Sequence, residues 1–116
     1  MLFDDFVKKV CALDKRNVFK KPTKVDKALP EFYSCYDPVD VEFDSKIGVI
    51  RMIPIEKIKK VTEGYSYIGL DLVFATTNGD PLFLKGNTVY ICAHGCNNPK
   101  LEKVANTFND FLKTII

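Results

Sequence analysis

The sequence predicts an α+β fold: a single domain, mainly an antiparallel sheet of about five strands, flanked by N-terminal and C-terminal helices. Three observations predict it. Apolar residues recur at three- and four-residue steps near both ends of the chain. Between them the apolar period shortens to two, as in half-buried strands. Tight-turn signals separate these runs, Asn78-Gly79 being the strongest. Strands joined by tight turns pair antiparallel, and helices at the ends pack on such a sheet. The 116 residues suit one domain over 1–116, large enough to bury about two thirds of its unfolded surface.

The first element is a helix in which Phe3, Phe6, Val7, Val10 and Cys11 share a face, with Asp4, Asp5, Lys8 and Lys9 opposite. It fades near Leu13. The basic stretch that follows stops at Lys21-Pro22, and Thr23 with Asp26 signals a short capped turn. Leu29 to Tyr36 reads as a short second helix, with Pro30 in its first turn and Phe32, Tyr33 and Tyr36 on one face.

From Asp37 the period becomes that of a strand. Val39, Val41 and Phe43 alternate with Asp40 and Glu42, giving an inner apolar and an outer acidic face. Ile47 to Ile53 is apolar throughout except at Arg51, so an interior strand covered on both sides is expected. Pro54 opens a helix with Ile55, Ile58, Val61 and Thr62 on one face and Gly64 as its C-terminal cap. Leu70–Ala75, Pro81–Leu84 and Thr88–Cys92 make a meander. Asn98 then caps a long helix with Pro99 in its first position, carrying Leu101, Val104, Ala105, Phe108, Leu112 and Ile115 as one stripe.

Charge narrows the classes of partner. The formal net charge of +2 lacks the basic excess of most nucleic-acid binders. Its distribution is uneven: Lys15, Arg16, Lys20, Lys21, Lys24 and Lys27 crowd one stretch, and Asp37, Asp40, Glu42 and Asp44 the next. Binding of nucleic acid through the basic stretch would need more than Phe19 as a stacking platform. No apolar run approaches the ~20 residues of a membrane helix, and the start lacks the basic and apolar regions of a secretion signal. Cys11 and Cys35 fall within apolar patterns, as buried reduced thiols do. A cytoplasmic, disulfide-free protein is expected.

The motifs in order resemble the SUKH superfamily. Leu29-Pro30-x-x-Tyr33 resembles its "LP-x-x-Y" helix entry, and Met52 to Ile58 its strand-to-helix step. Ile68-Gly69-Leu70-Asp71 through Asn78-Gly79-Asp80-Pro81-Leu82-Phe83-Leu84 resembles its hairpin. Val89-Tyr90 with His94, and Val104-Ala105-Asn106-Thr107-Phe108-x-x-Phe111-Leu112, resemble its closing strand and helix. The resemblance runs from about Lys24 onward. Where the family often carries "N-G" after the second helix, this chain has Tyr36-Asp37-Pro38-Val39. The resemblance implies a binding scaffold without catalytic residues. Bacterial members are mostly immunity proteins that neutralise toxins, many of them nucleases; eukaryotic relatives include a regulator of cell-wall glucan synthesis.

An immunity protein for a nuclease faces a basic cleft, which an acidic surface meets fastest and blocks best. Tyr36, Asp37, Asp40, Glu42 and Asp44 are the residues that fit, with Tyr36 as an aromatic anchor. Catalytic chemistry has thinner support. His94 is the only histidine, and a hydrogen bond to a turn accounts for it better than pairing with a cysteine. Cys92, His94 and Cys96 could give Zn²⁺ three ligands, but no Cys-x-x-Cys knuckle is present and Cys11 or Cys35 would have to supply the fourth. Asp40 and Glu42, two apart on an outer strand face, are solvated rather than poised for acid–base work. No cofactor, metal or membrane partner is expected; the expected partner is a protein.

Overall fold

The computed structural model describes residues 2–24, 26–65, 72–92 and 101–116. Their element order is α1 (Leu2–Leu13), β1 (Val18–Lys20), α2 (Phe32–Cys35), β2 (Asp37–Ser45), β3 (Gly48–Met52), α3 (Ile55–Gly64), β4 (Leu72–Thr77), β5 (Asp80–Lys85), β6 (Thr88–Cys92), β7 (Leu101–Ala105) and α4 (Phe108–Thr114). The seven strands form one sheet in sequence order, every neighbouring pair antiparallel. A Cα radius of gyration of 13.4 Å is that of a single compact domain of this length. The α+β class is therefore as expected, with a larger sheet.

The register explains the core. Val41 opposes Met52, which opposes Ala75, which opposes Leu82. Cross-strand partners share a face, and all four are buried. Helix α1 lays Phe6 against Phe43 of β2 at 5.9 Å between ring centroids. Helix α4 lays Phe108 and Phe111 against Phe74 of β4 at 5.1 and 5.3 Å. Phe32 of α2 sits between these layers, edge-on to Phe3, Phe6 and Phe19 and tilted against Phe108. Edge-to-face pairs of this kind add about 0.5–1.5 kcal/mol each beyond the area they bury.

The two strands beyond the expected five are both at sheet edges. β1 lies inside the basic stretch and is only three residues long, too short to show a strand's alternation. β7 replaces the start of the expected long C-terminal helix, so that expectation is corrected. Helix α4 begins after Thr107, whose hydroxyl accepts the Asp110 N–H at 3.0 Å. The spacing of Leu101, Val104 and Ala105 fits a helix, but the open edge of β6 takes this segment as a strand, with Val89 opposite Ala105. Tertiary pairing has overridden local periodicity. Asn98 and Pro99 lie outside the described residues.

Smaller corrections follow the same logic. α2 is a single turn rather than the full 29–36. Gly64 is the last residue of α3, and Tyr65 is its cap. Val39, expected inward, is 46% exposed because an extra residue in β2 shifts the phase against β1. β3 is interior in the sheet but not covered on both faces, since Val49 and Arg51 are exposed. Cys35 is exposed rather than buried, Cys11 is half-buried, and both are free thiols; Cys92 is buried. Asn78 at φ 52° and Gly79 at φ 85° form the expected hairpin turn between β4 and β5. Among the described residues no helix is long and apolar enough to cross a membrane.

Candidate protein-binding face

Strand β2 positions the acidic residues that the sequence singles out. Asp40, Glu42 and Asp44 alternate along it, so they share its outer face. Across the sheet Asp40 opposes Val18, Glu42 opposes Arg51, and Asp44 opposes Val49. The row through Glu42 continues over Arg51 to Thr76 and Pro81.

The five candidate residues do not form one accessible patch. Asp37 is buried at 6% exposure. Its Oδ1 accepts the backbone N–H of Ile55 at 2.9 Å, and Lys20 Nζ lies 3.8 Å from its Oδ2. It caps α3 from a neighbouring strand and is withdrawn from the outer face. Tyr36 is half-buried and donates its hydroxyl to the Asp4 carboxylate of α1. That hydrogen bond, with lesser help from burial, raises the Tyr36 hydroxyl above the usual phenol range.

Glu42 is accessible but paired. Its carboxylate is bonded to Arg16, and Arg51 Nη1 approaches to 3.9 Å. Exposed pairs like these contribute about 0–1 kcal/mol, yet they cancel local charge. Asp40 and Asp44 are exposed and make no ion pair or side-chain hydrogen bond with a described residue, so they carry the uncompensated negative charge.

Exposed apolar side chains lie beside these two aspartates, Val18 opposite Asp40 and Val49 opposite Asp44. Leu13, Val18, Val39, Ile47 and Val49 are 54%, 48%, 46%, 36% and 39% exposed, and all belong to the α1–β3 end of the fold. Among the described residues the other exposed large apolar side chain is Leu101 on β7. Scattered single apolar residues are ordinary, whereas a group at one end of a sheet rimmed by charge is the form of an interaction surface.

Asn17, which nothing in the sequence pattern marks, organises this end. It is buried at 3% exposure. Its Nδ2 donates to the Val10 carbonyl of α1 at 2.9 Å, and its Oδ1 accepts the Glu42 N–H at 2.9 Å. An asparagine within a basic run looks like a surface residue; only the end of α1 and the open edge of β2 meeting there give it two buried partners.

Cys92 is buried at the end of β6, opposite Leu101. His94 and Cys96, its expected partners in the zinc alternative, lie outside the described residues. Among the described residues no group of three or more His, Cys, Asp or Glu side chains comes together as a metal set.

No protein-family model matches the chain, and no curated protein or solved structure matches it.

Proposed function

We propose that this chain is a non-enzymatic, cytoplasmic protein-binding domain of the SUKH type, an immunity protein that covers and neutralises a cognate toxin. One observation carries the proposal: Asp40 and Asp44, exposed and paired with no described residue, lie among exposed Val18, Val39 and Val49 on a sheet. Apolar residues exclude water at the centre of a contact, and uncompensated carboxylates at its rim steer a basic partner into register. A nuclease cleft is such a partner. The motif series supports the family part of the proposal, with Leu29-Pro30 leading into the Tyr33 turn and Asn78-Gly79 turning the hairpin.

A regulatory docking module is the second proposal, favoured by the mixed charge of the same face. Arg16 and Arg51 stand among the carboxylates, which suits a partner without a strongly basic surface.

The test is capture of partners on the immobilised domain, followed by co-expression of the captured protein's domains with and without this chain. A captured toxic domain whose growth arrest is relieved by the chain establishes immunity. Capture of a non-toxic partner, with growth unchanged, replaces that function by the docking module.

A further inference from the structure

Two places in the sequence set a pair of lysines just before a threonine: Lys20-Lys21-Pro22-Thr23 and Lys59-Lys60-Val61-Thr62. Basic-directed serine/threonine kinases choose an acceptor hydroxyl by cations at this spacing, which enter acidic subsites beside the active centre. By sequence the two threonines are equal candidates. The fold makes them opposites.

Thr62 belongs to α3 and is half-buried. Its Oγ1 donates to the Ile58 carbonyl at 2.7 Å and accepts the Val73 N–H at 2.9 Å. Presenting this hydroxyl to a kinase would mean unwinding the helix and breaking its tie to β4. Thr23 lies after β1 in irregular backbone, and it is exposed. Its hydroxyl is bonded to no described residue. Pro22 biases Lys21 toward extended backbone, the form in which an enzyme cleft can take a segment. Lys21 is exposed, and the Lys20 side chain is 52% exposed with its Nζ 3.8 Å from Asp37. Cations and hydroxyl are therefore all within reach of a second protein.

We propose that Thr23 is a phosphorylation site for a basic-directed protein kinase that uses Mg–ATP. Thr23 Oγ1 forms a bond to the γ-phosphorus of ATP as the bond from that phosphorus to ADP breaks. The hydroxyl proton passes to the kinase's catalytic aspartate, and ADP leaves. The product carries about −1.5 to −2 charges. Thr23 shares a groove of about 180 Å³ with Lys20 and Lys24 and with the carboxylates of Asp37 and Glu56. Lys24, exposed and paired with no described acid, is the adjoining cation that can receive the phosphate. The modification lowers the positive charge of the flank that holds Lys20, Lys21, Lys24 and Lys27. It does not depend on the protein-binding function above.

The folded chain is incubated with Mg–ATP and the catalytic subunit of cyclic-AMP-dependent protein kinase. Phosphates are counted by intact mass and located by fragmentation. Blocked peptides covering residues 17–24 and 56–63 serve as unfolded references. Both peptides are expected to be phosphorylated, whereas the folded chain takes one phosphate, at Thr23. Thr23→Val is expected to take none, and Lys20→Ala with Lys21→Ala to slow the reaction about tenfold or more. A folded chain without phosphate, or with it at Thr62 or another hydroxyl in place of Thr23, overturns the proposal. So does a rate unmoved by loss of both lysines. A Thr62 peptide that stays bare overturns the part given to the fold.

Discussion

Asp37 of β2 caps helix α3: its Oδ1 accepts the backbone N–H of Ile55 at 2.9 Å. Pro54 holds the N-cap position and has no side-chain oxygen to offer, so the cap comes from a residue distant in sequence. A carboxylate there also suits the positive end of the helix dipole. One residue with the look of a surface acid thus joins strand to helix.

Replacing Asp37 should accordingly cost stability. Asp37→Ala leaves a part-buried N–H without its acceptor and is expected to destabilise by about 1–2 kcal/mol, read from urea denaturation. Asp37→Asn keeps an acceptor and should recover part of that loss. Lys20→Ala, removing a half-exposed cation 3.8 Å away, should change stability by less than about 1 kcal/mol.

Asn17 makes a second such test. Asn17→Ala removes the acceptor of the Glu42 N–H and the donor to the Val10 carbonyl together. A loss of about 2 kcal/mol is expected, since both backbone groups lose a buried partner. Amide exchange should quicken first at Glu42 and the last turn of α1. Exchange that stays uniform would mean that Asn17 does not join these two elements.

The start of α4 can be located by a single methyl and hydroxyl. Thr107 is its N-cap, accepting the Asp110 N–H. Thr107→Ala is expected to destabilise by about 1 kcal/mol, and Thr107→Ser to restore most of it. In a helix running on from residue 99, Thr107 would be internal, and alanine there would stabilise instead.

These residues also separate what the sequence reveals from what it hides. The Asn78-Gly79 turn, the apolar face of α1 and the alternation of Val41 and Phe43 are local signals, and each element stands where its pattern puts it. β7 is not local: Leu101–Ala105 is a strand because β6 offers an open edge, and helical spacing in the same residues conceals it. β1 is hidden for a similar reason, being three residues long and set among lysines. On the candidate face, the outward direction of Asp40 and Asp44 follows from alternation alone. The burial of Asp37, the pairing of Glu42 and the inward turn of Asn17 depend on Ile55, Arg16 and Val10, which approach from other elements. The phase shift at Val39 adds an exposed valine to the face that a regular strand would have buried.

We propose that Asp40 and Asp44 hold a protein partner. The measurement that tests it is partner affinity by calorimetry for the doubly reversed variant, Asp40→Lys with Asp44→Lys, beside the unaltered chain. Both side chains are exposed and pair with no described residue, so stability read from denaturation should change by no more than about 0.5 kcal/mol. Affinity is expected to fall by about 2 kcal/mol or more while the fold is retained. Unchanged affinity in a folded variant would contradict it and place the contact elsewhere on the molecule.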